Sequence, residues 1–247
     1  MQYKRDRPFM SRNKKLRIAF IIPAYNEEAV IRKVISGIRK SVKGLVWDWE
    51  IIVVDDCSTD LTATVSRGRK VTVIKHLLNT GSGGATYTGM RYARDSGFDL
   101  VVTLDGDGQH KPSDAIAGIR RLLRRKCDLL VGSRLVNPKG MSSVKRIGNK
   151  GLSFITRLVF GVKVTDSQSG LRVFSKKALN TLEWKSSSYD FCSEMLWRAK
   201  QQGLTIEEYP IKAIYSRYSI AKGQNNWNAF NIVKSLIKTR MMEIFGE

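Results

Sequence analysis

Residues 100–110 read Leu-Val-Val-Thr-Leu-Asp-Gly-Asp-Gly-Gln-His. The run Leu100–Leu104 has the composition of a short buried strand, and two carboxylates, Asp105 and Asp107, follow it directly. Carboxylates two residues apart at a strand end can turn their oxygens onto one hard divalent cation, and the glycines between them let the turn tighten. An isolated Asp-x-Asp is commonly a solvated turn. Its place at the end of a strand, in company with three similar segments, gives it meaning.

The same grammar extends to both sides. Leu16–Ile22 reads as a strand that Pro23 should halt, and Glu27–Ser41 as a helix with Val30, Val34 and Ile38 on one face. Trp49–Val54 is a strand ending on Asp55 and Asp56, Leu61–Ser66 starts a short helix, and Val71–Lys75 is a third strand. A glycine-rich turn, Asn79–Gly84, opens a helix through Arg94; Ile116–Arg125 is a further helix and Leu129–Val131 a fifth strand. Strands alternating with helices imply βαβ units: an α/β, Rossmann-like, mostly parallel mixed sheet flanked by helices in a single domain over residues 16–225. Such sheets bind ligands beyond the carboxyl ends of their strands. Pro23–Glu28, Asp55–Asp60, Asn79–Gly84 and Asp105–Gln109 all fall there and should converge on one cleft.

Beyond Val136 the pattern loosens. Asn137–Lys150 reads as a basic loop of lid length, followed by a helix at Gly151–Phe160 and strand-like residues Gly170–Phe174. Leu179–Leu182 and Phe191–Gln202 read as helical, Ile206–Tyr215 as a strand, and residues 226–247 as an amphipathic helix with Phe230, Val233, Ile237, Met241 and Ile244 on one face. Residues 1–15 form a basic arm, expected to be flexible and without a signal peptide's apolar core.

Each strand-end segment also has an ordinary structural explanation. Tyr25 offers a ring for base stacking and Glu27 an acceptor for a base or ribose, while Asn26 could simply cap the next helix. Asp55 and Asp56 could bind a nucleoside, or the segment Ser58–Asp60 could cap a helix. The glycines of 79–84 permit close approach of a phosphate or sugar to a helix N-terminus, but the segment is neither a P-loop nor a dinucleotide fingerprint.

The 247 residues are 42% hydrophobic, which suits a globular chain, and no apolar run approaches the roughly 20 residues needed to span a bilayer. Cys57, Cys127 and Cys192 are widely spaced and read as reduced thiols, so a cytoplasmic location is expected. A net charge of +21 calls for a polyanionic partner: nucleic acid, an anionic membrane surface or phosphorylated substrates. Acids concentrated at strand ends, and the lack of a helix-turn-helix, RRM or zinc-finger pattern, argue against a basic nucleic-acid-binding module. A sugar nucleotidyltransferase should carry a Gly-rich basic loop after the first strand, where this chain has Pro23-Ala24-Tyr25-Asn26-Glu27.

Taken in order, Ile21–Glu27, Val53–Asp60, Gly81–Gly84, Asp105–His110 and Gly132-Ser133-Arg134 resemble glycosyltransferase family 2, a GT-A fold. Within it the chain looks most like the dolichyl- or polyprenyl-phosphate sugar synthases, such as dolichyl-phosphate mannosyltransferase. The resemblance spans roughly residues 16–225 and implies a set of roles. Pro23, Tyr25, Glu27, Val54 and Asp56 would form the nucleotide pocket. Asp105, Asp107 and Gln109 would hold Mg or Mn and the diphosphate, with Arg217 and Lys222 as late basic contacts to the donor. Ser133, Arg134, Lys145 and Arg146 would receive the acceptor, and Asp166–Arg172 resembles the family's Asp-x-x-Ser-Gly segment.

The implied reaction is inverting transfer from a nucleotide-diphosphate sugar, of GDP-mannose or UDP-hexose type, to a polyprenyl phosphate on the cytoplasmic membrane face. Asp107 and Arg134 would be catalytic. Many relatives of this kind carry C-terminal membrane helices where this sequence has none, so peripheral contact with an anionic membrane, and a membrane-protein partner, are expected. Glu194 lies where polysaccharide-forming relatives keep a catalytic acid, which leaves open a saccharide hydroxyl as acceptor with Glu194 as its base.

Overall fold

The computed structural model describes residues 15–138, 141–188, 190–216, 218, 234, 240 and 241. Seven strands form one sheet: β1 (Arg17–Ala24), β2 (Asp48–Asp55), β3 (Val71–Lys75), β4 (Leu100–Thr103), β5 (Leu129–Ser133), β6 (Arg172–Phe174) and β7 (Ile206–Pro210). Their order is β3-β2-β1-β4-β6-β5-β7. All pairings are parallel except the two made by β6, which runs antiparallel to both β4 and β5.

Helices α1 (Ile31–Val42), α2 (Thr62–Ser66), α3 (Gly81–Asp95), α4 (Pro112–Arg125), α5 (Ser143–Phe160), α6 (Lys176–Thr181) and α7 (Phe191–Gln201) complete the chain order. The central strand β1 is apolar on both faces because both are covered. Its Ile18, Phe20 and Ile22 join the core beneath α1 and α4, and its Ala19 and Ile21 join the core beneath α3, α5, α6 and α7.

Several boundaries differ from the sequence reading, each for a local reason. Pro23 does not halt the β1–β2 ladder, which continues through Ala24. Backbone groups alternate sides along a strand. Ile21 O accepts from Leu104 on the β4 side and Ala24 O from Asp56 on the β2 side, so Pro23 turns its missing donor toward β4, whose pairing has already ended at Thr103.

Asn26 caps no helix. It sits at φ 54° and its Oδ1 accepts from Thr59 N at 2.9 Å, while α1 starts only at Ile31. Most of the expected basic loop 137–150 is helical, because Ser142 caps α5 by accepting from Lys145 N, and Gly161 ends it in the left-handed region at φ 66°. The last strand stops at Pro210, short of Tyr215. The arm over residues 1–15, apart from Lys15, lies outside the described residues. So does the helix expected over 226–247, apart from Lys234, Arg240 and Met241, which are helical.

Candidate active site

A cleft of about 540 Å³ opens beyond the carboxyl ends of β1, β2 and β4. All four polar strand-end segments line it from one side; α5, the segment 166–172 and the start of α7 line it from the other.

The acidic wall is the turn after β4. Asp105 accepts from His110 Nε2 at 2.9 Å, and Gln109 N donates to Asp107 Oδ1 at 2.9 Å. Burial disfavours ionised Asp105, but the His110 hydrogen bond and the charges of His110, Arg134 and Arg172 outweigh it and hold the carboxyl below its ordinary range. Asp107 goes the other way: burial first, then the charge of Asp105 and that of Glu27, push it up to about 6. One carboxyl ionised and its neighbour reluctant to follow is the field that a divalent cation relieves. The donor set is all oxygen, which suits Mg or Mn. Among the described residues no group of three or more His, Cys, Asp or Glu surrounds a metal position, so an ion held here takes its remaining ligands from elsewhere.

The basic wall faces this turn. Arg134 forms a bidentate pair with the fully buried Asp166 through Nε and Nη2, both at 2.8 Å, and its backbone N adds a third bond at 3.0 Å. Burial opposes its charge, but Asp166 holds the guanidinium protonated, and Arg134 in turn keeps Asp166 ionised against its own burial. Arg172 is 1% exposed. It donates to Ser167 O, Cys192 O and Met195 Sδ, has no carboxylate within ion-pair distance among the described residues, and leaves Nε without a partner there. A buried guanidinium lacking a counter-ion beside a cleft is an anion seat. Lys145, in the first turn of α5, lines the same wall with its ammonium 5.7 Å from the ring of Tyr215.

Tyr25, Glu27 and Asp56, expected from the sequence to meet a nucleotide, all line the cleft. Tyr25 is exposed along the cleft. The hydroxyl of Tyr218 lies 2.9 Å from Glu27 Oε2 and 3.1 Å from Asn26 O, its one proton shared between these acceptors, so Tyr218 sits against this part of the cleft. Asp56 is already engaged: Oδ1 accepts from His76, Thr80 N and the Thr80 hydroxyl, and Oδ2 from Gly81 N.

The glycine-rich entry to α3 is likewise satisfied from within. Gly83 N and Gly84 N donate to Ser187 O, and a Cβ at Gly83 would stand 2.5 Å from Ser186 O. These glycines admit a neighbouring stretch of backbone where a phosphate was the alternative.

Pro23 and Gln109 line the cleft as expected. Four other residues do not. Val54 is wholly buried in the core. Ser133 is buried too, its hydroxyl paired with Thr165 at 2.7 Å. Arg146, one residue on from Lys145 along the helix, is exposed and off the cleft.

Glu194 is 1% exposed and consumed. It accepts from Lys185 N, Ser186 N and Arg198 Nε, bonds that lower its pKa against burial. A carboxylate tied down in this way anchors the 185–188 turn and is not placed as a base. Arg217 and Lys222 lie outside the described residues.

Sequence reasoning assigned no role to His110, Asp166, Gly170, Arg172 or Tyr218. A Cβ at Gly170 would collide with the Asp105 carboxylate, so this glycine makes room for the acid. The Asp166–Arg172 segment contained the signal, but it showed only a resemblance until β6 brought it against β4.

Comparison with known proteins follows the same outline. The profile described as Glycosyl transferase family 2 matches residues 19–183. The chain is 42% identical over 249 residues to UDP-N-acetylglucosamine–dolichyl-phosphate N-acetylglucosaminyltransferase of Methanococcus voltae, covering 92% of this chain and 97% of that one. It is 31% identical over 210 residues to undecaprenyl-phosphate mannosyltransferase of Micrococcus luteus, covering 79% and 83%. Among solved structures, glucosyl-3-phosphoglycerate synthase from Mycobacterium tuberculosis, in complex with Mn2+, UDP and phosphoglyceric acid, shares the fold with a TM-score of 0.68 at 19% identity, over 92% of this chain and 78% of that one.

Proposed function

We infer the reaction from one premise: the chain belongs to glycosyl transferase family 2. It moves a sugar from a nucleotide-diphosphate donor to the phosphate of a polyprenyl lipid, with inversion at the anomeric carbon. The observation that carries this reading is the opposition across one cleft of an acidic turn, Asp105 and Asp107, to two guanidinium groups, the half-buried Arg134 and the buried Arg172.

Asp105 and Asp107, with Gln109 beside them, would hold a divalent cation, Mg or Mn, which when bound would supply Lewis-acid neutralisation of the departing diphosphate. The chain's own residues do the remainder. Tyr25 stacks on the base, with Glu27 and Asp56 framing the nucleoside. Arg134, fixed by Asp166, and Arg172, fixed by three acceptors, orient phosphate oxygens without having to reorganise during transfer. Lys145 draws the acceptor anion toward the anomeric carbon. Arg217 and Lys222 are proposed as donor-phosphate contacts.

The acceptor class follows from what is lacking at the cleft. A sugar hydroxyl needs a base, whereas a phosphate arrives ionised. Among the described residues the cleft carboxylates are Glu27, Asp56, Asp105 and Asp107; the first two are hydrogen-bonded within the fold and the others belong to the cation seat. Glu194 lies elsewhere. The names of the Methanococcus and Micrococcus relatives support a polyprenyl-type phosphate acceptor, and the first of them makes UDP-N-acetylglucosamine the donor to try before other UDP-hexoses and GDP-mannose.

Among the described residues no helix is long and apolar enough to cross a membrane. The net charge of +21 supports peripheral attachment at the cytoplasmic face of an anionic membrane. The test is an organic-phase extraction assay with labelled sugar nucleotides, Mn2+ and polyprenyl phosphate. Label should enter the organic phase with at least one donor, and Glu194→Gln should transfer within about threefold of the parent rate. No extractable product with any donor, or collapse of Glu194→Gln at unchanged stability, rejects a lipid-phosphate acceptor.

A further inference from the structure

Helix α5 has more apolar surface than its own core contact requires. Leu152 and Phe160 are buried and already dock it onto the domain. Yet Val144, Ile147, Phe154 and Leu158 are 61%, 69%, 65% and 73% exposed. Together with Gly151 they repeat at spacings of three and four, so they form one continuous stripe along the helix. Single exposed apolar residues need no explanation, but a stripe of four large ones does.

Two features of the same helix identify its occupant. The sequence of α5 contains no acid, and its exposed cations Arg146, Lys150 and Arg157 lie about 100° round the axis from the stripe at 3.6 residues per turn. An apolar stripe with a wholly basic flank is complementary to an anionic lipid surface, where acyl chains meet phosphate headgroups. The stripe is also continuous with the cleft: Val144 belongs to both, and Lys145, Gly148, Asn149 and Leu152 line the cleft from the adjoining face of the helix.

We propose that α5 is a membrane-docking helix whose stripe lies in the headgroup region of an anionic bilayer and sets the cleft mouth at the lipid surface. The inference rests on the polyprenyl-phosphate reading and adds the surface by which that acceptor is met. The acceptor's phosphate reaches Lys145 and Arg134 without leaving the interface, while its chain stays in the bilayer beside Ile147 and Phe154.

Flotation of the full chain with vesicles tests this. Vesicles of equal parts phosphatidylglycerol and phosphatidylcholine should carry the protein upward, and phosphatidylcholine alone should carry much less. The triple variant Ile147→Ser, Phe154→Ser, Leu158→Ser replaces no residue that lines the cleft and should keep its melting temperature. It should partition at least about tenfold more weakly, and Lys150→Gln and Arg157→Gln should each weaken binding to the anionic vesicles about fivefold. Transfer to polyprenyl phosphate embedded in vesicles should fall with the triple variant, while transfer to a short, water-soluble isoprenyl phosphate stays at the parent rate.

Undiminished flotation of the triple variant overturns the proposal. So does a parent protein that ignores anionic vesicles, or one whose dimer, measured by light scattering, is lost in the variant while vesicle binding persists. A parent that floats through this stripe yet glycosylates neither isoprenyl acceptor leaves the docking surface standing and rejects the acceptor assignment instead.

Discussion

The glycine-rich entry to α3 and the acidic turn after β4 stand on the rim of the same cleft, and both have the composition of a ligand loop. At α3 the fold supplies the partners of four backbone amides: Asp56 takes those of Thr80 and Gly81, and Ser187 O takes those of Gly83 and Gly84. At β4 the fold leaves the charge incompletely answered. Asp105 has His110, Asp107 has one backbone amide, and burial together with the charge of Asp105 holds Asp107 near 6. Residue type announces that a segment is polar. The folded chain decides which polar groups are spent on itself and which are kept for something else.

The contrast breaks if substitutions at the two turns have similar effects. Asp107→Asn should lower kcat for transfer about a thousandfold, the several kcal/mol expected of a lost cation ligand. It should also raise the melting temperature measured without divalent ions, because the repulsion from Asp105 disappears. Equal transfer by this variant would remove the cation seat from the mechanism.

Gly170→Ala is the next largest. By displacing the Asp105 carboxylate it should cost about a hundredfold in kcat/KM through misplacement alone, with thermal unfolding barely moved.

Gly83→Ala should reverse that pattern. Its methyl meets Ser186 O and the Phe191 side chain, so it should destabilise the fold by about 1–3 kcal/mol in denaturant melts while the folded fraction keeps parent KM for the donor. A large rise in that KM would mean that the α3 terminus binds phosphate after all.

The smallest effect is in pH. The carboxyl of Asp107 rises from an ordinary 3.8 to about 6 on folding, so the folded state binds this proton more tightly than the unfolded chain. Metal-free stability should therefore decline as pH rises from about 4 to about 6 and level off above. Manganese affinity, read by calorimetry, should climb over the same interval, because cation and proton compete for the carboxyl. Both trends should vanish in Asp107→Asn.

What could be read without coordinates was whatever local chemistry decides. The apolar runs of β1 to β5 and the acids that follow β2 and β4 are dictated by residues adjacent in sequence, and the cleft formed where they predicted. The second half of α5 was legible from Gly151 on, but residues 143–150 read as loop because Gly148 lowers helix propensity in a stretch already rich in Ser and Lys; the cap at Ser142 outweighed it. Glu194 stood out only by its place in the resemblance; that it accepts from the amides of Lys185 and Ser186 is decided by the folded turn, which its letter does not announce. Arg172 and Gly170 gained meaning from a strand pairing some 70 residues distant in sequence, Thr103 with Arg172, which no local pattern encodes.

That pairing has a kinetic corollary. Strands β4 and β5 never touch; the three residues of β6 are wedged between them, reversed. Until that wedge, which itself carries Arg172, is seated, the acids after β4 and the guanidinium group of Arg134 belong to separate halves of an unfinished sheet. Closing so long a loop is slow compared with forming the neighbouring βαβ units. Competence for catalysis should thus arrive abruptly, with the last strand to dock, and a refolding chain should gain most of its helical signal well before it gains any affinity for manganese.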